Sequence, residues 1–330
     1  MNFRPDEDVH FVAKKRQYIK RKKRFRTVVL SLMCIAIVAV WVVIILAIKE
    51  FSSPYLPEET ATDTAIVTTE LIALETTAAN GSYFDGAETV ELEISALAVR
   101  KGALALVSDH LGYVLPESTD ELMTVWGNKS ATYYVASSSL MLAEDAFFAA
   151  DKMFCDYYNE TSNGDYQITM GYSDAETPIC CTEHGTGYAF DVNVYANGIS
   201  YRLAEAGAVD SIYSWMYDNA AKYGFVLRYA AEKSGVTGMP HDADHFRYVG
   251  LGHSQYMADN NLSLEEYIGE LQKHRYGDKH IEFSYDGVSY EVFYVKMPEE
   301  AEGVFIEIPK DVSYTLSGDN IGGVIVTLYK

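Results

Sequence analysis

Two short segments of the chain carry side chains that could do metal chemistry. The first, residues 182–191, contains His184 and Asp191, and the second, residues 242–250, contains His245. Two imidazoles and one carboxylate are ordinary zinc ligands, and a set of three leaves the fourth position to water, as in catalytic sites. The competing interpretation is a pair of exposed polar loops, where His and Asp are also common.

The residues around Asp191 predict the element that positions it. From Tyr188 to Val194 large apolar side chains alternate with small or polar ones, which is typical of a strand with one buried face. The predicted faces are Phe190, Val192 and Val194 on one side, and Ala189, Asp191 and Asn193 on the other. Small Ala189 and the two glycines after His184 leave room for a metal and a substrate backbone.

Both segments resemble the motifs of one peptidase family. Thr182-Glu-His-Gly-Thr-Gly-Tyr-Ala-Phe-Asp191 is similar to the Ser-x-His-x-x-Gly-x-Ala-x-Asp signature of the zinc D-alanyl-D-alanine carboxypeptidases of the vancomycin-resistance type. Asp242-Ala-Asp-His-Phe-Arg-Tyr-Val-Gly250 resembles their Glu-x-x-His motif and the Phe-Arg-Tyr-Val-Gly that follows it. The similarity extends over about residues 93–275.

The resemblance implies a function and a ligand set. His184, Asp191 and His245 would bind Zn²⁺, and Asp242 takes the position of the family's general base. In that family zinc activates a water that attacks a peptide carbonyl, and the carboxylate passes the water's proton to the leaving amine. The implied substrates are peptidoglycan stem peptides, from which the enzyme removes the C-terminal D-alanine. D,D-, L,D- and endopeptidase specificities stay open, because pocket shape decides among them.

Three positions depart from the family pattern. Asp242 is one methylene shorter than the family's Glu, and Asp244 replaces a bulky Trp before the last ligand, where it adds charge and is itself a possible base or ligand. The upstream Ser-Gly-Tyr-Arg motif reads Met170-Gly-Tyr-Ser173, so its arginine is missing. These departures favour, as the alternative function, a catalytically weakened homologue that binds cell-wall peptide as a sensor or scaffold.

The same resemblance implies the substrate contacts. The candidate substrate-binding residues are Thr182, Tyr172, Ser173 and Arg228. An arginine at the motif position is expected to stabilise substrate or oxyanion charge, and Ser173 cannot supply that charge. The candidates to replace it are Arg228, Arg247 and His241.

Helices alternate with strands in the middle of the chain, which predicts an α+β fold, and the resemblance implies a small antiparallel sheet with flanking helices. Apolar residues at three- and four-residue spacing predict a helix over 137–158 that begins at a Ser cap. Further predicted elements are helices at 209–223 and 263–274 and strands at 89–95 and 102–108. After residue 277 alternating segments and an Asp286-Gly287 turn predict a small all-β appendage. The predicted domains are therefore a zinc carboxypeptidase-like domain at 89–277 and a β-rich domain at 278–330.

The N-terminus predicts a membrane anchor. Residues 1–26 hold ten Lys and Arg against three Asp and Glu, and residues 27–48 are uncharged and apolar enough to span a bilayer. The positive-inside rule then leaves the tail in the cytoplasm and exports the rest, with 49–88 as an acidic linker. A cleaved signal peptide is the less favoured alternative, because the exit at residue 47 fits a cleavage site poorly. The net charge of the whole chain is -21, and without the basic tail it is (26 - 10) - (47 - 3) = -28, so the exported part repels phosphate backbones and nucleic-acid binding is not expected.

The remaining chemistry-bearing residues have plainer interpretations. Export permits a disulfide from Cys155 to Cys180 or Cys181, and three reduced, buried thiols are an equally good interpretation. His253 and His280 are expected at the surface, and Trp126 in the core.

Overall fold

The computed structural model describes most of the chain from residue 86 onward. The described residues are 72–73, 84, 86–107, 121–173 and 183–330, and they belong to one compact unit, Val67–Lys330. Several predictions lie outside them: the basic tail, the span at 27–48, most of the linker, Thr182, Cys180 and Cys181. None of the described helices is long and apolar enough to cross a membrane.

The strands are short, and most of their pairings are antiparallel. They are β1 (Ile72–Ala73), β2 (Thr89–Ser95), β3 (Leu122–Thr124), β4 (Tyr134–Val135), β5 (Met141–Ala143), β6 (Tyr166–Met170), β7 (Ala189–Ala196), β8 (Ile199–Arg202), β9 (Phe225–Tyr229), β10 (Asp242–Tyr248), β11 (Ile281–Tyr285), β12 (Val288–Lys296), β13 (Gly303–Pro309), β14 (Ser313–Gly318) and β15 (Gly323–Tyr329). The α-helices are α1 (Val125–Asn128), α2 (Glu144–Thr161), α3 (Leu203–Val209), α4 (Trp215–Asn219), α5 (Ser234–Thr237), α6 (Leu251–Asp259) and α7 (Leu264–Leu271). The predicted α+β class is confirmed.

A central sheet with the order β4-β6-β7-β10-β9 forms the middle of the fold, and β8 pairs with β7 at its end. Helix α2 packs on one face of this sheet, because its buried side chains recur at three- and four-residue spacing. Those side chains are Ala146, Phe147, Ala150, Met153, Phe154 and Tyr157. Fully burying each large apolar side chain stabilises the fold by about 1.5–3 kcal/mol, so this packing fixes the sheet that carries the candidate site.

Two predicted helices have different boundaries in the structure. The helix predicted over 137–158 begins only at Glu144, because Met141–Ala143 instead pairs with β3 as a strand. The Ser137 hydroxyl accepts a hydrogen bond from the Ser139 backbone, so it shapes a turn rather than a helix cap. The helix predicted over 209–223 is helical from residue 211 to 223, but α4 lies between two 3-10 segments, Ser211–Ser214 and Ala220–Tyr223. It starts after Asp210 because the Asp210 side chain accepts a hydrogen bond from the Ile212 backbone.

The predicted strand at 102–108 is also wrong over the residues the structure describes. Residues 101–107 are irregular, with residues 104–107 buried, and Gly102 has a φ of +106° that a regular strand does not permit. Backbone oxygens of this segment accept hydrogen bonds from the buried side chain of Arg247, at 3.0 Å for Ala103 and 3.2 Å for Ala105. The segment is apolar because it lines the core, and its backbone groups pair with Arg247 and with residues 317–320 instead of a regular strand partner.

The other predicted elements agree with the structure. Strand 89–95 is β2, and Ser263 begins α7 with a complete capping box. The Asp286-Gly287 turn joins β11 to β12, and both residues have positive φ, as a tight hairpin requires. Four of the C-terminal strands form the sheet β11-β12-β15-β14, whereas β13 pairs with β2. The division at residue 277 stays a prediction.

Candidate metal centre

Strands β7 and β10 place two of the predicted ligands side by side. Asp191 and His245 are directly paired residues of the two antiparallel strands, so their side chains point to the same face of the sheet. The predicted alternation of β7 is confirmed: Phe190, Val192 and Val194 lie in the core, on the face opposite Asp191. The His245 Nδ1 atom lies 2.8 Å from Asp191 Oδ1.

The third predicted ligand, His184, lies in the turn that precedes β7. The turn is closed by hydrogen bonds from Thr186 to the Glu183 carbonyl and from Gly187 to the His184 carbonyl. Gly187 has a φ of +73°, and an added Cβ would lie 2.8 Å from a methyl carbon of Leu122, so glycine is required there. His184 Nε2 is 3.4 Å from Asp191 Oδ1, and its ring lies 4.9 Å from that of His245.

The three side chains together fit a metal ion. One donor atom from each of His184, Asp191 and His245 lies within 4.8 Å of the others. Both histidines are buried, and Asp191 is half-buried. Burial opposes ionisation of Asp191, but hydrogen bonds from the two histidines hold the pKa of its carboxyl below the ordinary value. The cluster thus combines two imidazoles with an ionised carboxylate, which matches the preference of Zn²⁺ for imidazole and carboxylate ligands.

His245 also faces a second carboxylate, on the side away from Asp191. Burial lowers the pKa of His245, but Asp191 and Glu183 outweigh burial and raise it to about 9. Glu183 is fully buried, with its Oε2 atom 3.7 Å from His245 Nε2. Sequence reasoning missed Glu183, since nothing in the sequence distinguishes a carboxylate beside a histidine from an ordinary surface charge.

Arg228 and Arg247 lie in ion pairs with Glu183. Arg228 Nε is 3.0 Å from Glu183 Oε1, and Arg247 Nη1 is 3.1 Å from Oε2. Although burial opposes ionisation, the two guanidinium groups hold the pKa of Glu183 well below its ordinary value. Arg228 also pairs with Glu265 of α7, and both arginines are buried. These contacts favour a structural role for Arg228 over the predicted substrate contact, and neither arginine is placed to replace the missing motif arginine.

The candidate base, Asp242, begins strand β10 and contacts an arginine that sequence reasoning missed. Arg202 Nη2 lies 3.0 Å from Asp242 Oδ1, and Arg202 Nε lies 2.6 Å from Asp244 Oδ2. The reason is strand order: β8 pairs with the end of β7 beyond the residues that β10 occupies, so the end of β8 meets the start of β10. Asn197-Gly198 forms the β7–β8 hairpin, with both residues at positive φ, and this dipeptide was the available sequence signal for it.

Asp244 is not directed at the ligand cluster. Its second oxygen accepts a hydrogen bond from the Leu203 backbone at the start of α3, at 3.1 Å. Burial raises the pKa of Asp244, and the nearby Arg202 only partly opposes this. Its position therefore favours a role in joining β8, α3 and β10 over the possible role of base or ligand.

Of the remaining predicted residues, Ser173 contacts the ligand segment, and it does so through its backbone. Ser173 donates a backbone hydrogen bond to the His184 carbonyl at 3.4 Å, and Tyr172 donates one to the Met141 carbonyl at 2.7 Å. His241 Nδ1 lies 2.8 Å from the Tyr229 carbonyl.

Cys155 is a free thiol, which favours the reduced interpretation for that residue. Three further expectations are wrong: His253 and His280 are buried, and Trp126 is 59% exposed.

Asp191 and His245 lie on paired strands of the central sheet, His184 lies in the turn before β7, and the carboxylate of Asp242 starts β10. This arrangement in an α+β fold defines a candidate metal-dependent hydrolase. Residues 158–251, which contain the whole cluster, match the VanY family, described as D-alanyl-D-alanine carboxypeptidase. Residues 158–251 are thus similar to this family, and the resemblance predicted from the two motifs is confirmed.

Two curated relatives agree with this assignment. A D-alanyl-D-alanine carboxypeptidase of Enterococcus faecium is 36% identical over 165 residues, which cover 50% of this chain and 46% of that protein. The bifunctional D-Ala-D-Ala dipeptidase and D-Ala-D-Ala carboxypeptidase VanXYC of Enterococcus gallinarum is 37% identical over 91 residues, 26% of this chain and 46% of that protein. The chain thus spans about half the length of these relatives.

A solved structure supports the fold. The vancomycin resistance D,D-dipeptidase VanXYg, in complex with a D-Ala-D-Ala phosphinate analogue, matches with a TM-score of 0.62 at 23% identity. The match covers 74% of this chain and 100% of that one. At this identity the similarity establishes the fold alone.

Proposed function

We propose that the chain is a zinc metallopeptidase that removes the C-terminal D-alanine from peptidoglycan stem peptides. The observation that carries the proposal is the cluster of His184, Asp191 and His245, whose donor atoms lie within 4.8 Å of one another. The family match over residues 158–251 supports the substrate class. Zinc bound by these three residues would supply an activated water and polarise the scissile carbonyl.

Asp242 is the residue that we assign to proton transfer. Its carboxylate would take the proton of the attacking water and deliver it to the leaving amine, a contribution of roughly 10²- to 10⁴-fold. The contact of 3.0 Å with Arg202 fixes the direction of this shorter side chain. Because it starts the strand that carries His245, Asp242 moves with the ligand cluster rather than with a separate loop.

Arg202 is the cation that we assign to the substrate. Its side chain is 56% exposed, whereas Arg228 and Arg247 are buried in ion pairs. A guanidinium beside the candidate base can bind the terminal carboxylate of a stem peptide bidentately. This assignment would supply the positive charge that Ser173 cannot.

The alternative, a weakened homologue that binds cell-wall peptide without cleaving it, is favoured by one observation. Both Asp242 and Asp244 contact Arg202, so the base and the proposed substrate cation neutralise each other. In this alternative the ligand cluster would bind metal and peptide, but the proton acceptor would not be free.

We also propose that the N-terminal segment anchors the chain in the cytoplasmic membrane and exports the peptidase domain. The support is the sequence: a basic tail followed by an apolar run at 27–48 that is long enough to span a bilayer. An extracytoplasmic location would bring the domain to its proposed substrate.

Turnover of defined stem peptides distinguishes the enzyme from the binding protein. The zinc-loaded chain is incubated with pentapeptide and tetrapeptide stems, and released D-alanine is measured by mass spectrometry. We expect release that chelation stops and that Asp242→Asn reduces by about 10²- to 10⁴-fold, because the amide keeps the shape but cannot accept a proton. Asp278→Asn, a carboxylate outside the candidate site, serves as the matched control and should leave the rate unchanged. Peptide binding without any release of D-alanine would establish the alternative.

A further inference from the structure

The buried carboxylate of Glu183 lies behind the candidate metal centre, on the far side of the His245 ring. Its two oxygens face Arg228 Nε at 3.0 Å, Arg247 Nη1 at 3.1 Å and His245 Nε2 at 3.7 Å. A carboxylate with no exposed surface is stable only when opposite charges and hydrogen bonds surround it. The two arginines supply these opposite charges, so the contact of Glu183 with His245 is not needed to stabilise the buried carboxylate.

The two ring nitrogens of His245 have different surroundings. Nδ1 lies 2.8 Å from Asp191 Oδ1, within the ligand cluster, whereas Nε2 is buried and directed at Glu183. The ring stacks on Tyr229 at a centroid distance of 5.2 Å, which fixes its plane. A neutral imidazole that gives Nδ1 to a metal must carry its proton on Nε2, so the group that faces Nε2 selects the tautomer.

We propose that Glu183 is a positioning residue of the metal centre, and that its carboxylate accepts the Nε2–H of His245 and thereby keeps Nδ1 available to the metal. This inference rests on the proposed metal site. The separation of 3.7 Å is an ion-pair distance and exceeds the roughly 2.9 Å of a formed N–H···O bond, so the bond forms only when the carboxylate and the ring move closer together. Partners of this kind orient metal-binding histidines and raise their basicity.

The rest of the network holds Glu183 in place from two directions. Arg228 also donates hydrogen bonds to Glu265 at the start of α7, with its two terminal nitrogens 3.1 Å and 2.5 Å from the two carboxylate oxygens. Arg247 also donates hydrogen bonds to the carbonyls of Ala103 and Ala105. Because no contact joins Glu265 to His245 among the described residues, Glu265 has the same kind of ion pair without access to the ring.

This difference provides a matched pair of variants, Glu183→Gln and Glu265→Gln, in the full chain. Each removes one negative charge next to Arg228, and Glu183→Gln also removes the charge beside Arg247. Only Glu183→Gln removes the group that faces His245 Nε2, so the Nε2–H resonance is the measurement that a purely structural role would not change. Zinc affinity is measured by competition with a chromophoric chelator. The Nε2–H proton of His245 is followed by NMR in ¹⁵N-histidine-labelled protein without metal.

We expect Glu183→Gln to weaken zinc binding by about 10- to 100-fold and to move the Nε2–H resonance upfield with faster solvent exchange. Glu265→Gln should leave the zinc affinity and the resonance unchanged. Glu183→Asp keeps the charge beside both arginines but withdraws it from the ring, so it should reproduce the NMR change even where Glu183→Gln does not fold.

Equal effects of Glu183→Gln and Glu265→Gln, or an unchanged Nε2–H resonance in Glu183→Asp, would reduce the network to a structural one and overturn the inference. The NMR arm requires no metal. A wild-type chain that binds no zinc but loses the Nε2–H signal in the Glu183 variants would therefore refute the proposed function and leave the Glu183 contact established.

Discussion

Replacing His253 by glutamine should remove a pH-dependent part of the stability. His253 is buried between α6, α7 and β15, where its Nδ1 lies 2.7 Å from the Tyr267 hydroxyl and its Nε2 lies 3.0 Å from Thr327 Oγ1. Burial lowers the pKa of His253 to about 4 and raises that of Tyr267 well above its ordinary value, so neither partner offers a negative charge. The folded chain therefore holds a neutral imidazole.

The sign of the effect follows from proton linkage. In the unfolded chain His253 becomes protonated below its ordinary pKa of 6.5, whereas in the folded chain it stays neutral until the pH approaches 4. The free energy of unfolding consequently decreases as the pH falls through this window, and it is unaffected by His253 above it. At 1.36 kcal/mol per pKa unit the total loss is about 3 kcal/mol, of which about 2 kcal/mol falls between pH 6.5 and pH 5.

The assay is urea unfolding of the wild type and of His253→Gln at pH 7.5 and pH 5. Glutamine can keep one hydrogen bond but does not titrate, so the variant serves as the reference for all the other titrating groups. The stability advantage of the wild type should narrow by about 2 kcal/mol at the lower pH. Parallel pH profiles of the two chains would refute the reasoning that His253 is neutral in the folded state.

Three further predictions concern the turn at His184, helix α7 and topology. Gly187→Ala should cost about 1–2 kcal/mol through its left-handed backbone and its clash with Leu122, and should weaken zinc binding, whereas Gly198→Ala, with open space around it, should leave zinc binding intact. Ser263→Ala removes the capping box and should lower the free energy of unfolding by about 1 kcal/mol in the same urea assay. Proteases added to intact cells should digest the region after Phe51 and spare residues 1–26; protection of both regions would contradict the proposed export.

The sequence was informative where one periodicity had one interpretation. The alternation around Asp191 predicted which side chains of β7 lie in the core. The pairing of β7 with β10 then places Asp191 beside His245. The same reasoning failed at 137–158, where Leu140 and Leu142 fit a helical spacing but belong to a turn and strand that precede α2. Local spacing alone cannot distinguish these cases, because the partner strand β3 is about 20 residues away.

The parts of the site that sequence reasoning missed depend on contacts between distant residues. Arg202 reaches Asp242 because β8 and β10 share one edge of β7, which follows from sheet order. Glu183 and Arg228 are 45 residues apart, and their ion pair exists only because β9 and the turn before β7 are brought together in the fold. His253 was expected at the surface because a single histidine has no pattern, whereas its burial is decided by the packing of three elements.

Zinc content tests the central claim most directly. The full chain, purified and dialysed against zinc and then against buffer without chelator, should carry about one zinc per chain by elemental analysis. His184→Ala should carry none, whereas His274→Ala, which removes a histidine outside the cluster, should keep the wild-type content. A wild-type chain without zinc, or a His184→Ala chain that keeps it, would contradict the assignment of His184, Asp191 and His245 as the metal centre.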